Sequence, residues 1–170
     1  MLMLFSSCDG FLPKSTSGPL AHQSEIEDLV KFEVAFYNVI IDQYEYFCFL
    51  GFGWNSYLDK MDEFRVEMYE FWLKDDTSSN AFKKILFDVS EMSTYKYDKI
   101  AKDVCKAYNE LSVVLSEYTE IPTSSETRIW KFKEIYSDIE FIYTENKESG
   151  DWSCEPDEKS IERYIKKNAI

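Results

Sequence analysis

Apolar positions along this chain mostly recur at steps of three and four, the spacing of one face of an α-helix. One stretch departs from that by being apolar on nearly every side. Phe32 to Trp54, FEVAFYNVIIDQYEYFCFLGFGW, carries Phe32, Phe36, Tyr37, Tyr44, Tyr46, Phe47, Phe49, Phe52 and Trp54. A helix that is apolar all round is buried, in a protein core or in a membrane. Glu33, Asp42 and Glu45 interrupt it with no basic partner inside the stretch. A charge at mid-bilayer costs about 2.5–3.5 kcal/mol on insertion scales. The stretch therefore reads as a central core helix, with the three carboxylates on its one solvated strip. Ser24 with Glu27 forms a capping box that opens the helix, roughly Glu25 to Leu50, and Gly51 and Gly53 end it.

Later stripes need a common surface, and this helix offers one. Asn55 caps a second helix running to about Lys74 through Tyr57, Leu58, Met61, Phe64, Met68, Phe71 and Trp72. A third covers Ala81 to Met92. A fourth covers Tyr95 to Tyr118, with Tyr97, Ile100, Ala101, Val104, Cys105, Tyr108, Leu111, Val114, Leu115 and Tyr118 on one face. Pro122 stops it. A fifth is expected over Ser125 to Asn146 through Ile129, Phe132, Tyr136, Ile139 and Tyr143. A hairpin competes there, because Trp130 to Lys133 and Ile139 to Phe141 alternate and are rich in β-formers. No Gly or Asn supplies a turn between them, which favours the helix. Glu145 to Glu155 reads as a loop around Gly150. Pro156 suits a first helical position, and a short last helix reaches Asn168 with Ile161, Tyr164 and Ile165 inward. The expected fold is all-α, a bundle of five or six helices around the aromatic-rich helix, in a single domain over residues 24–170.

Charge narrows the partners. The 170 residues carry 32 acids against 19 Lys and Arg, a net charge of −13. Such a surface repels phosphate backbones and anionic lipid headgroups and suits a basic protein. From Glu134 to Glu158 there are nine acids and one base, Lys147. On the expected fifth helix Glu134, Asp138 and Glu145 share an outward face. With Glu148 and Asp151 they form the candidate partner-binding patch.

The first residues read MLMLFSSCDG. Phe5-Ser6-Ser7-Cys8 resembles the lipobox of bacterial lipoproteins: an apolar residue three before the cysteine, two small residues, then the cysteine. Phe stands where Leu is more usual, a departure of Bacteroidetes-like lipoproteins. The resemblance spans about eight residues and implies cleavage before Cys8, diacylglyceryl modification of its thiol and acylation of its amine. Two or more acyl chains anchor stably where one does not. Only seven residues precede Cys8 and none is basic, so the resemblance implies a charged leader upstream of Met1. Residues 1–7 would be a remnant of the signal segment, and 8–23 the lipidated cysteine with a Gly-, Pro- and Ser-rich tether. The implied address is the bacterial envelope, facing the periplasm or the outer surface, with membrane contact through the lipid on Cys8 alone.

Catalytic signals are sparse. His22, the single histidine, falls in the tether, which argues against histidine-based nucleophile systems and zinc sites. No Gly-rich phosphate loop, HExxH or EF-hand pattern occurs, so no catalytic residue, metal or cofactor is assigned. With 32 acids some carboxylate pair always lies close, so pairs carry no specificity. Cys48 and Cys105 sit on apolar stripes and Cys154 in the last loop. A pairing of Cys154 with either is open, and free thiols are expected. The resulting expectation is a non-catalytic, lipid-anchored protein-binding domain, in outline like an immunity protein that neutralises a basic toxin. Alternatives are an accessory or structural envelope lipoprotein, and a cytosolic or viral interaction protein without lipid. Intact-mass analysis of protein from its native host should find an N-terminal Cys8 carrying diacylglyceryl and acyl groups. An unmodified Met1 ends the lipoprotein reading.

Overall fold

The computed structural model describes residues 18–49, 59–67 and 98–169. Among these residues four helices pack with a four-stranded antiparallel sheet, a mixed α/β fold. The all-α bundle is thus overturned in the second half of the chain. In order, a 3-10 turn (Pro19–His22) runs into α1 (Gln23–Phe49). The helical residues 59–67 are α2, and α3 is Asp98–Glu110. A meander follows: β1 (Thr119–Ile121), β2 (Thr127–Lys133), β3 (Glu140–Asn146) and β4 (Trp152–Pro156), then α4 (Glu158–Asn168). The helix expected over Ala81 to Met92 and the lipobox with Cys8 lie outside the described residues.

α1 is the element the core is assembled on. Residues 32–37 are buried without interruption, more than a full helical turn, as are Ile26, Leu29, Val30, Val39 and Ile40. Ile100, Ala101, Val104 and Tyr108 of α3 join the same core, with Met61 and Phe64 of α2, Phe132, Phe141, Tyr143 and Cys154 of the sheet, and Ile165 of α4. Each large apolar side chain buried there contributes about 1.5–3 kcal/mol. Tyr108 Oη donates to Asp28 Oδ1 at 2.8 Å, tying α3 to α1. No helix among the described residues is long and apolar enough to cross a membrane.

The expected fourth helix ends early. After Glu110 the chain extends, and from Leu111 to Leu115 burial alternates between half-buried and exposed residues. The β-branched pair Val113-Val114 favours that state. The expected fifth helix is the β2–β3 hairpin, with Phe132 opposite Phe141 and Trp130 opposite Tyr143. A helical stripe would have left Phe141 off the buried face, whereas the period-two reading places Phe132, Ile139, Phe141 and Tyr143 inside together. The turn lacking Gly or Asn is made by Asp138, whose φ of 60° is left-handed, a conformation short polar side chains tolerate. The loop expected over Glu145 to Glu155 holds the end of β3 and most of β4. Pro156 closes that strand and does not open a helix. Asp157 is the N-cap of α4, its carboxylate accepting from Ser160 N at 3.0 Å.

Two buried carboxylates fix the sheet's connections. Glu134, 1 % exposed, sits in the β2–β3 turn. Its Oε2 accepts from Ser137 N at 2.6 Å and its Oε1 from Val114 N at 3.2 Å. Glu145, 4 % exposed, accepts at Oε2 from Gly18 N at 2.7 Å and Tyr143 Oη at 3.0 Å. The residues nearest α1 that read as tether are therefore docked. Gly18 has φ 99°, and a Cβ there would lie 3.4 Å from the Trp130 ring. His22 stacks on Trp152 with ring centroids 4.5 Å apart. Replacing Glu134 by Ala strips two amides of their acceptor. It should cost about 2–3 kcal/mol in urea unfolding, whereas Tyr136→Ala in the same turn, 76 % exposed, should stay within about 0.5 kcal/mol.

Candidate functional site

Glu33 is fully buried, 0 % exposed, at the middle of α1. A lone carboxylate in a core is strongly disfavoured, so the helix needs a cation against it. Arg65 of α2 supplies it, Nη1 donating to Glu33 Oε1 at 3.1 Å. The other side of the guanidinium is held by Asp62, whose Oδ1 accepts from Nε at 3.0 Å and Nη2 at 2.8 Å. The single solvated strip expected for Glu33, Asp42 and Glu45 does not form. Asp42 is exposed and Glu33 is inside, while the side chain of Glu45 lies outside the described ones.

This pair borders a cavity of about 800 Å3 between α1, α2, β4 and α4. Buried Leu29, Phe36, Tyr37 and Ile40 make its floor, and Trp152 to Pro156 run along one wall. Glu25, Asp59, Asp62, Glu155, Glu158 and Glu162 line it from half-buried or exposed positions. Arg65 is the one cation among the described lining residues, and Glu33 and Asp62 already hold it. Glu162 meets Lys166 only at 4.0 Å on the open surface, a pairing of little energetic weight. The groove is therefore an apolar trough under a negative field.

Its protic groups are held neutral. Burial pushes the Cys154 thiol well above its ordinary range, reinforced by the charges of Glu33 and Glu155. A thiol so raised is a poor nucleophile. Burial and then the Glu33 charge do the same to the Tyr37 hydroxyl, partly offset by Arg65. Cys154 is in no disulfide, so neither of the pairings left open for it, with Cys48 or with Cys105, is made. Among the described residues no group of His, Cys, Asp and Glu side chains is arranged to hold a metal ion.

The acidic patch expected late in the chain is not assembled. Glu134 and Glu145 are interior and already accept backbone N–H groups. An outward face through Glu134, Asp138 and Glu145 required a helix where the chain forms a hairpin. Asp138, Glu148 and Asp151 are exposed but occupy turns at opposite ends of β3. Asp138 pairs with Lys133 at 3.2 Å, and Asp151 accepts from Ser149 Oγ at 2.7 Å. The residues that sequence reasoning missed are Arg65 and the groove acids. A signal for Arg65 was present, since a core acid on α1 requires a cation and the second stripe carries only Lys60 and Arg65 between Asp59 and Glu67. The groove acids had none, because they come from four separated elements.

Comparison with protein-family models, with characterised proteins and with solved structures gives no match. Arg65→Met should destabilise the chain by about 3 kcal/mol in denaturant unfolding, because it leaves Glu33 buried without this guanidinium. Glu33→Met combined with Arg65→Met should recover most of that loss. A double variant as unstable as the single one would show that the pair is not what matters at this position.

Proposed function

We propose that this chain is a protein-binding domain whose groove takes a basic segment of a protein partner, and that Cys8 carries the lipid holding it at a bacterial envelope membrane. The observation that supports the binding reading is the charge of the groove. Its described lining sets five further carboxylates, Glu25, Asp59, Glu155, Glu158 and Glu162, over an apolar floor, and its single guanidinium is neutralised by Glu33 and Asp62. A trough of this kind focuses negative potential, attracts a cationic chain from a distance and offers apolar surface once it arrives. Binding is favoured over thiol chemistry because burial holds the Cys154 thiol well above its ordinary range, which makes it a poor nucleophile. The anchor rests on the residues Phe5-Ser6-Ser7-Cys8 alone.

Neutralisation of a basic toxin is one case of this function, and service as an accessory subunit of an envelope complex is another. A toxin gene beside this one separates the first from the second. The shared claim is tested by calorimetry with a synthetic octapeptide alternating lysine and valine. It should bind, weaken as salt rises from low to physiological strength, and lose about tenfold in affinity on charge reversal at Asp59, Glu155 and Glu162, at about 0.5 kcal/mol for each exposed charge. Equal binding of an octapeptide alternating glutamate and valine would sink the proposal.

A further inference from the structure

We infer that the outer edge of β4 is the docking ladder of the groove: an extended basic segment of the partner adds there as a further strand of the sheet. The inference rests on the proposed binding function and fixes how the segment is held.

The direction of the backbone groups follows from the hydrogen bonds that flank β4. Asn146 N donates to Asp151 O at 2.8 Å, and Asp157 N donates to Glu140 O at 2.8 Å. Both bonds lie on the ladder that pairs Glu145 with Trp152, Tyr143 with Cys154 and Phe141 with Pro156. In an antiparallel ladder alternate residues turn their N–H and C=O toward the same neighbour. Asp151, Ser153, Glu155 and Asp157 therefore face β3, and Trp152, Cys154 and Pro156 direct theirs to the opposite edge. The sheet order β1-β2-β3-β4 ends at that edge. Among the described residues no strand pairs with it, and no hydrogen bond takes up the N–H or C=O of Trp152 or Cys154. Pro156, with no N–H, closes the ladder.

All five residues of β4 line the groove. At about 3.3 Å per residue the edge matches some 17 Å of extended chain. Such a chain sends alternate side chains to opposite faces. One set would lie on the face of buried Cys154, toward the floor of Leu29, Phe36 and Tyr37, and the other on the face of exposed Ser153 and Glu155, while Glu158 and Glu162 of α4 add negative charge to the same groove. An apolar–basic alternation fits both. Charge also decides against a second copy of this chain as the occupant, because its own β4 edge would bring Glu155 and Glu158 against the same residues here. Recessing the edge under like charges is how a free strand avoids indiscriminate pairing.

The test uses the full chain and four octapeptides: lysine–valine, the same with N-methyl groups on the valines, the same with them on the lysines, and glutamate–valine. Strand addition predicts that lysine–valine slows hydrogen exchange at the amides of Trp152 and Cys154. It also predicts that methylation of one alternate set costs about tenfold or more in affinity while the other set leaves it unchanged, as expected when the ladder hydrogen bonds of one set alone are lost. Binding without protection of those amides, and with both methylated peptides equal, overturns the inference and leaves the binding function standing. Lysine–valine and glutamate–valine peptides binding alike overturns both. Sedimentation showing a dimer that protects the same amides without peptide overturns it in favour of a second copy.

Discussion

Glu33 stands at the centre of the most heavily buried helix, and a carboxylate there can persist only against a counter-charge. That requirement draws α2 onto α1 through Arg65, which Asp62 orients from the far side. Met61 and Phe64, on the same short helical segment, then reach the core, with the Phe64 ring 6.3 Å from that of Phe36. An ion pair is a poor source of net stability, since desolvation consumes most of what attraction returns. Its effect here is positional. It holds α2 at one place beside α1 and so defines one wall of the groove, while leaving the guanidinium with no spare charge to offer a ligand.

The same chemistry recurs where the chain changes direction. Glu134 gathers the amides of Ser137 and Val114, so the β2–β3 turn and the strand-like segment before β1 share one acceptor. Glu145 gathers Gly18 N and the Tyr143 hydroxyl, which docks the start of the described chain on the sheet. Asp157 caps α4. Each carboxylate accepts hydrogen bonds from backbone or hydroxyl groups that are buried or part-buried. Part of the acidity of this chain is therefore structural and invisible from outside. The net charge of −13 overstates what any one surface presents, and of the exposed acids Asp59, Glu155, Glu158 and Glu162 line the groove where β4, α2 and α4 meet.

This division explains what could be read in advance. The span of α1 was legible because its apolar run is long, and α4 because Ile161, Tyr164 and Ile165 repeat at helical spacing. The sheet was misread because Ile129, Phe132, Tyr136, Ile139 and Tyr143 also satisfy a helical period. Two observations in the sequence pointed the other way: the helical stripe stranded Trp130 and Phe141, and Asp138 can take the turn conformation that Gly or Asn would have supplied. Glu33 was misplaced for a geometric reason. It lies nine positions from Asp42, which at about 100° per residue puts the two on opposite sides of a helix. They could never have shared one solvated strip, so one of them had to face inward. The groove could not be read at all, since it is assembled by tertiary packing of segments more than a hundred residues apart, Glu25 and Glu162 among them.

The binding proposed for this fold turns on the difference between acids used inside and acids left at an edge. A strand edge with unengaged N–H and C=O groups pairs with any extended chain it meets, unless something selects the chain. β4 is such an edge, and hydrogen bonds of a backbone ladder carry no information about sequence. Selection must come from what surrounds the ladder. The floor accepts apolar side chains of many shapes, so it too discriminates weakly. The carboxylates of Glu155, Glu158 and Glu162 discriminate strongly, because an acidic or neutral chain gains nothing from them and a like-charged copy of this protein is repelled. The backbone edge can thus supply adhesion, and the negative field specificity. The proposed arrangement requires Arg65 to be neutralised inside, since a free guanidinium beside β4 would weaken the negative field of the groove.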